Sequence, residues 1–296
     1  MKNKIIITGA TGFVGSNLTK YFLDKNYEVN LIVRPNSNLF NLDIDNNNFS
    51  VFKYDNDLNN LISFFKEVKP ICTFHLASNF IAEHKPSEID SLVASNISFG
   101  LHLLEAMKEA NVKTLINTGT SWQHYNNEDY NPVCLYAATK QAFESLIEYY
   151  VEAENFKVIT LKLFDTYGET DTRPKLINLL NQLADEQTAL KLSPGEQIIN
   201  LVHINDVCNA FETAMKLIET ERNGTHQKYF IKHPKSHTLK EAINIFEEVL
   251  QKNINITWGG KAYRKREVMK LWDKGEILPN WSPEISLKEG FAKFIV

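Results

Sequence analysis

Short, almost unbroken apolar runs recur along this chain, separated by longer stretches in which apolar positions repeat every three to four residues. The runs cover residues 4–7, 29–33, 49–54, 71–76, 114–117 and 157–164. Helical periodicity fills the intervals at 15–24, 58–68, 88–110 and 136–152. A strand apolar at successive positions is buried on both faces, so this alternation predicts a parallel sheet covered by helices on each side. The Asn-rich stretch 41–50, "NLDIDNNNFS", reads as a polar connection, and the sequence has no internal repeat. Beyond about residue 165 the rhythm changes. Helical stretches at 174–185, 205–220 and 239–251 alternate with short extended pieces and with turns such as "SPGE" and "ILPNWSP". Thr238 opens "TLKE", an N-cap with Glu241 three residues on to answer it. The expected architecture is α/β: a doubly wound parallel sheet over residues 1–165 and a smaller C-terminal α/β lobe over 166–296, its segments interleaved with the sheet. The lobe belongs over the carboxyl edge of the sheet, where open α/β sheets bind their ligands.

Composition narrows this picture without redirecting it. The chain has 296 residues, 43% of them hydrophobic, enough for a sizeable core in one large domain or a domain with an appended lobe. A net charge of −4 provides no overall basic field for nucleic acid. The densest basic run, Lys261, Arg264, Lys265 and Arg266, reads as a solvated face, with a patch that helps hold a diphosphate as the alternative. Only two lysines precede the first apolar run, which is too short for a secretory signal, and no stretch approaches the roughly 20 apolar residues of a membrane span. A cytoplasmic protein without a membrane partner is the expectation. Cys72, Cys134 and Cys208 are widely spaced and lack CxxC or His partners at metal spacing, so neither a disulfide framework nor a metal site is expected.

Between the first run and the first helix lies "TGATGFVGS", with Gly9, Gly12 and Gly15 three apart. Glycines at a strand-to-helix turn permit a tight bend, close approach of backbone to a pyrophosphate and close packing of helix on strand. The helix N-terminus adds unpaired N–H groups and partial positive charge. The spacing is G-x-x-G-x-x-G, a variant of the Rossmann-type dinucleotide fingerprint. At the end of the second run, "LIVRPNSN" puts Arg34 where NAD-binding chains carry the acid that accepts from the ribose hydroxyls. Asn36, Ser37 and Asn38 follow as neutral donors. A guanidinium offers a planar fork to phosphate oxygens and no carboxylate repels them, which favours NADP(H) over NAD(H); the plainer reading of Arg34 is an ordinary exposed arginine.

Residues 116–144 read "INTGTSWQHYNNEDYNPVCLYAATKQAFE". Tyr136 and Lys140 are four apart at the start of a helix and share one face. A free tyrosine has a pKa of about 10, and a neighbouring ammonium and a positive nicotinamide ring favour its phenolate. The lysine can also hydrogen-bond the nicotinamide ribose. Combined with the glycine loop, "CTFHLAS" (72–78) and the hydroxyl cluster Thr118, Thr120 and Ser121, this pair resembles the extended short-chain dehydrogenase/reductase family. "LKLFDTYG" (161–168), "LVHINDV" (201–207) and "LPNWSPEISLKEGF" carry the resemblance over nearly the whole chain.

The resemblance implies that Gly9, Thr11, Gly12, Phe13, Val14 and Gly15 form the phosphate loop. It also implies that Leu76, Ala77 and Ser78 line the cofactor and that Asn96 supports the site from its helix. Asp55 or Asp57 faces adenine, with the register open. Tyr136 becomes the general acid or base and Lys140 its modulator. Thr120 polarises the substrate oxygen, with Thr118 and Ser121 as alternatives. Family members of this length mostly act on nucleotide-linked sugars, and a homodimer through helices 88–110 and 136–152 is expected from the family.

Sugar contacts are expected from Trp122, Gln123 and His124, which follow the hydroxyl cluster, and from Asp165 and Thr166 at the next strand end. Arg173 and Arg264 are candidates for the diphosphate. Plainer readings stand beside these: core packing for Trp122, a surface loop for His124, surface roles for both arginines and a structural role for His203.

Three reactions compete within the family. Dehydratases place an Asp–Glu pair directly after the catalytic threonine, whereas Ser121 and Trp122 follow Thr120 here, which counts against elimination. A 4-epimerase has reason to retain NAD and usually shows the acidic ribose partner, against which Arg34 stands. The expected function is therefore NADPH-dependent reduction of a keto group on a nucleotide sugar. More narrowly, "NTGTSWQHY", "RKREVMKLW" and "LPNWSP" look like reductases of nucleotide-activated 4-keto-6-deoxyhexoses. An epimerase, and a dinucleotide-binding regulatory protein without catalysis, remain the alternatives.

Overall fold

Residues Lys4–Thr8 form β1, whose side chains alternate between two cores: Ile5 and Ile7 enter one, Ile6 the other, and all three are fully buried. The computed structural model describes residues 3–39, 42, 49–173, 175–183 and 189–295. Strand then alternates with helix: α1 (Phe13–Asp24), β2 (Glu28–Val33), β3 (Phe49–Lys53), α2 (Leu58–Val68), β4 (Cys72–His75), α3 (Ile89–Val93), α4 (Phe99–Glu109), β5 (Thr114–Thr120), α5 (Leu135–Glu154) and β6 (Lys157–Leu163). These strands pair in parallel, in the order β6-β5-β4-β1-β2-β3. Parallel neighbours need crossover helices, which then cover both faces.

The second half supplies β7 (Asp165–Tyr167), α6 (Leu176–Leu183), β8 (Leu190–Lys191), β9 (Ile198–Ile199), β10 (Leu201–His203), α7 (Ile204–Thr220) and β11 (Thr225–Ile231). It ends with β12 (His237–Thr238), α8 (Leu239–Leu250), β13 (Ile256–Thr257), β14 (Glu276–Ile277) and α9 (Leu287–Ala292). β11 and β14 return to the sheet beyond β6, giving eight parallel strands among the described residues. One face packs on α1 and α7, with Leu18, Phe22, Val207 and Phe211 at its centre. The opposite face packs on α2, α4 and α5 through Leu61, Phe65, Leu103, Phe143 and Ile147. A third core joins α6, α8 and α9 through Leu180, Ile243, Phe246 and Phe291. The predicted box at Thr238 forms: its hydroxyl accepts from Glu241 N–H, and the Glu241 carboxylate accepts from Thr238 N–H at 2.8 Å.

Two segments depart from the sequence pattern. β5 runs to Thr120 rather than 117, because its polar "TGT" pairs with β6 as far as Thr120 opposite Leu163. The helical stretch 88–110 is interrupted by a π-helical turn at Ala94–Ser98, which puts buried Asn96 on the interior side. Most of the Asn-rich connection 41–50, and residues 174, 184 and 185 of the helix expected over 174–185, lie outside the described residues.

Candidate active site

The chain leaves β1 through Gly9, whose φ is +74°, a region open to glycine and costly for other residues. Space forbids a side chain there as well: a Cβ would lie 2.6 Å from Ala77 N. Gly15 is equally constrained, since its Cβ would sit 2.1 Å from Gly9 O, so α1 can rest on the loop only if position 15 is bare. Gly12 is the N-cap of α1 and brings no side chain to the first turn, leaving its N–H groups for an anion. A cavity of about 250 Å³ opens beside Thr11, Gly12, Phe13 and Ser16 and reaches Thr170 and Arg173. Val14 packs at the edge of the core under this turn. A bare, uncapped helix start against such a hollow fits the phosphates of a dinucleotide.

Arg34 follows the last residue of β2 and is exposed; its carbonyl accepts from Ser37 N–H at 3.0 Å, and its guanidinium has no hydrogen bond or ion pair among the described residues. Asp57 and Asp55 separate in role. Asp57 caps α2 by accepting from Asn59 N–H at 2.8 Å, whereas Asp55 accepts from Asp57 N–H at 3.2 Å and is otherwise exposed. After β4, Leu76 and Ala77 pass beside β1: Leu76 N–H donates to Thr8 O and Ala77 N–H to Thr8 Oγ1. Asn96 accepts from Asn79 N–H at 2.7 Å and donates to Thr139 Oγ1 at 2.9 Å, joining this loop to α5.

Tyr136 and Lys140 lie on the buried side of α5, 9% and 2% exposed. Burial pushes the Tyr136 phenol up to about 12, with a hydrogen bond to Ser78 opposing the rise. Burial also draws the Lys140 amine down to about 8, with the Glu144 carboxylate opposing. On its own the chain therefore keeps the phenol protonated at neutral pH. Thr120 closes β5; its Oγ1 accepts from Trp122 N–H at 3.2 Å, so the hydroxyl proton is left to donate elsewhere. The Thr118 hydroxyl is buried and has no hydrogen-bond partner among the described residues.

A larger cavity, about 370 Å³, spans the sheet edge and the second lobe. Ser121, Trp122 and His124 form its wall on the β5 side, and Asp165, Thr166 and Arg264 face them. The structure brings these six sequence-predicted residues together. Arg173 lies instead at the smaller cavity, bound to Asp171 by Nε and Nη2 at 2.7 Å each and stacked on Phe13 at 4.6 Å. His124 offers a ring face rather than a nitrogen, for Nδ1–H donates to Glu128 O and Nε2 accepts from Lys162 Nζ at 2.8 Å. Arg264 is held by Glu267 and lies over Trp122 at 5.0 Å. Arg266 bonds Asn131 and stacks on Tyr125, so half of the basic run faces inward instead of solvent. His203 is fully buried; it caps α7 through Nδ1 and meets Glu169 at 3.1 Å. Among the described residues no cluster of His, Cys, Asp or Glu is placed to hold a metal ion, the three cysteines are free, and no helix is long and apolar enough to cross a membrane.

Two cavity residues carry no motif in the sequence. Phe80 stands edge-on to Tyr136 at 5.0 Å and tilted to Trp122 at 5.6 Å, between the cavity and the phenol. Lys175 reaches over the Phe80 ring at 5.4 Å; burial lowers its amine, and Asp165 and Asp171 oppose that. Asp165 is in turn raised by burial, with Lys175 and Arg264 opposing. Their only sequence signal was position: Phe80 lies just past "HLAS", and Lys175 just past Arg173.

Comparison with known proteins agrees with this fold. The CDP-abequose synthase of Yersinia pseudotuberculosis is 28% identical over 269 residues, 90% of each chain. The UDP-glucose 4-epimerase of Thermotoga maritima, solved with UDP-glucose, superposes with a TM-score of 0.85 at 22% identity, covering 99% of this chain and 97% of its own. The Thermus thermophilus UDP-glucose 4-epimerase, solved with NAD, gives 0.82 at 19% identity over 99% and 97%. The model of the NAD dependent epimerase/dehydratase family matches residues 5–228, and this chain belongs to that family.

Proposed function

We propose that the protein reduces a keto group on a nucleotide-activated sugar, an NDP-4-keto-6-deoxyhexose, with NADPH, in deoxysugar synthesis for surface polysaccharide. The observation that carries this reading is the placement of Tyr136 and Lys140, one turn apart on the buried side of α5, with Phe80 of the larger cavity edge-on to the phenol at 5.0 Å. When bound, the nicotinamide supplies the hydride. Tyr136 gives its proton to the keto oxygen, so hydride and proton together convert C=O to CH–OH. Thr120 donates a hydrogen bond to the same oxygen from the hydroxyl that Trp122 N–H has oriented. The Lys140 ammonium stabilises the phenolate that remains.

Ser121 and Trp122 give the wall after Thr120 no carboxyl for elimination. Phe80, Trp122 and Trp272 make the sugar end largely aromatic, which suits a hexose with few hydroxyls. The Arg34 guanidinium, exposed and with no partner among the described residues, supports NADPH over NADH. The similarity to CDP-abequose synthases supports a CDP-linked substrate. Exposed Ile89, Val93 and Tyr149, on α3 and α5, support a homodimer through that face. A cytoplasmic location fits such a substrate.

The test is NADPH oxidation with CDP-, dTDP- and GDP-linked 4-keto-6-deoxy sugars, run for wild type, Tyr136→Phe and Arg34→Asp. Tyr136→Phe is expected to lose turnover while binding NADPH nearly unchanged. Arg34→Asp is expected to shift preference toward NADH by about tenfold or more, the loss of one charge-assisted phosphate contact. A phenylalanine variant with most of its activity would remove the proton donor from the scheme.

A further inference from the structure

Behind Lys140 lies a buried charge cluster that proton and hydride transfer do not require. Glu144 stands four residues further along α5 and is 2% exposed. Its Oε2 accepts from Gln123 Nε2 at 2.9 Å, and Gln123 Oε1 accepts from Thr120 N–H at 3.0 Å. Gln123 is fully buried and also donates to Gln141 Oε1 at 2.7 Å. The other carboxylate oxygen lies 3.4 Å from both Lys162 Nζ on β6 and Lys228 Nζ on β11. Lys162 continues to His124, whose ring stacks on Trp272 at 3.8 Å. One carboxylate thus reaches the catalytic lysine through space, the backbone of Thr120 through one amide, and the cavity wall through one ammonium.

Resting on the catalytic reading above, we infer that Glu144 is a positioning residue that holds the charge of Lys140 and, through Gln123, the placement of Thr120. Burial alone would raise a carboxyl here; Lys162, Gln123, Lys228 and His226 together hold it below the usual range, so Glu144 stays ionised. The other groups around the pair are settled. His226 on β11 bonds Thr160 and Glu148, Lys228 bonds Glu148, and His75 on β4 is a fully buried neutral ring. The sign follows: a negative charge beside an amine raises its pKa, so removing Glu144 lowers the pH at which Lys140 gives up its proton.

The test needs two readouts. In cofactor-free protein with ¹³C-labelled lysines, the Lys140 signal, assigned with Lys140→Met, is expected to titrate at about 8 in wild type. The paired variant Glu144→Gln/Lys162→Met removes the carboxylate together with the buried lysine that it pairs, leaves Lys140 without a counter-charge, and should move that midpoint down by about one unit or more. An unmoved midpoint overturns the charge arm, with no dependence on substrate. For Thr120, Gln123→Leu is expected to lower kcat for CDP-4-keto-6-deoxyglucose about tenfold at nearly constant KM and NADPH affinity. Wild-type kcat in Gln123→Leu, beside an inactive Tyr136→Phe, overturns the Thr120 arm alone. An active Tyr136→Phe overturns the catalytic reading instead.

Discussion

His124 shows how a single side chain can be placed by the fold in a role its local sequence does not announce. It follows the strand end that carries Thr120, which brings it to the cavity, yet both ring nitrogens are used within the chain. Burial, then the Lys162 ammonium, hold its pKa at about 4. The unfolded ring takes up its proton near 6.5, so the folded state is at full advantage above that pH and loses it as pH falls toward 4. At pH 5 the loss from this group is about 2 kcal/mol. Urea unfolding at pH 7 and pH 5 should therefore show wild type losing about 2 kcal/mol more than His124→Gln. Equal losses would mean that the ring accepts its proton in place, beside Lys162.

At the scale of elements, the turn between β1 and α1 was legible because its causes are local. An apolar run, three glycines and an amphipathic helix are adjacent in sequence, and each glycine answers a constraint within a few ångströms. Gly15→Ala would press a Cβ onto backbone at Gly9 O, which cannot swing aside as a side chain would. The expected cost is about 2–3 kcal/mol of stability, together with weaker cofactor binding. Gly12→Ala meets the same oxygen at 3.3 Å and should be far milder for stability. Thermal unfolding and NADPH titration of the two variants check this order, and a Gly15→Ala protein as stable as wild type would contradict it. The π-helical turn at Ala94–Ser98 was not legible, because its reason is remote. Asn96 must meet Asn79, 17 residues away, and Thr139, 43 away, and no periodicity inside the helix records that demand.

Over the whole molecule, the pattern of runs and helices fixed the parallel sheet, and Tyr136, Lys140 and Thr120 fell where that sheet's carboxyl edge places chemistry. The cavity walls could not be read in the same way. Arg264, Arg266 and Trp272 come from a segment that looks like a basic surface run. They are drawn inward by Glu267, Asn131 and His124, partners up to 148 residues distant. Asn127 and Asp273 lock the same two segments by a reciprocal pair of hydrogen bonds. Such contacts depend on where the lobe lies over the sheet, so local sequence carries little trace of them. The reaction itself is a property of this assembled site, and one isotope decides it. Wild-type protein is given NADPH deuterated at the transferable position of nicotinamide C4, with CDP-4-keto-6-deoxyglucose, and the product is examined by NMR. One deuterium at sugar C4 for each NADPH consumed is the expected result. An epimerised sugar without deuterium, formed with no loss of NADPH, would contradict reduction.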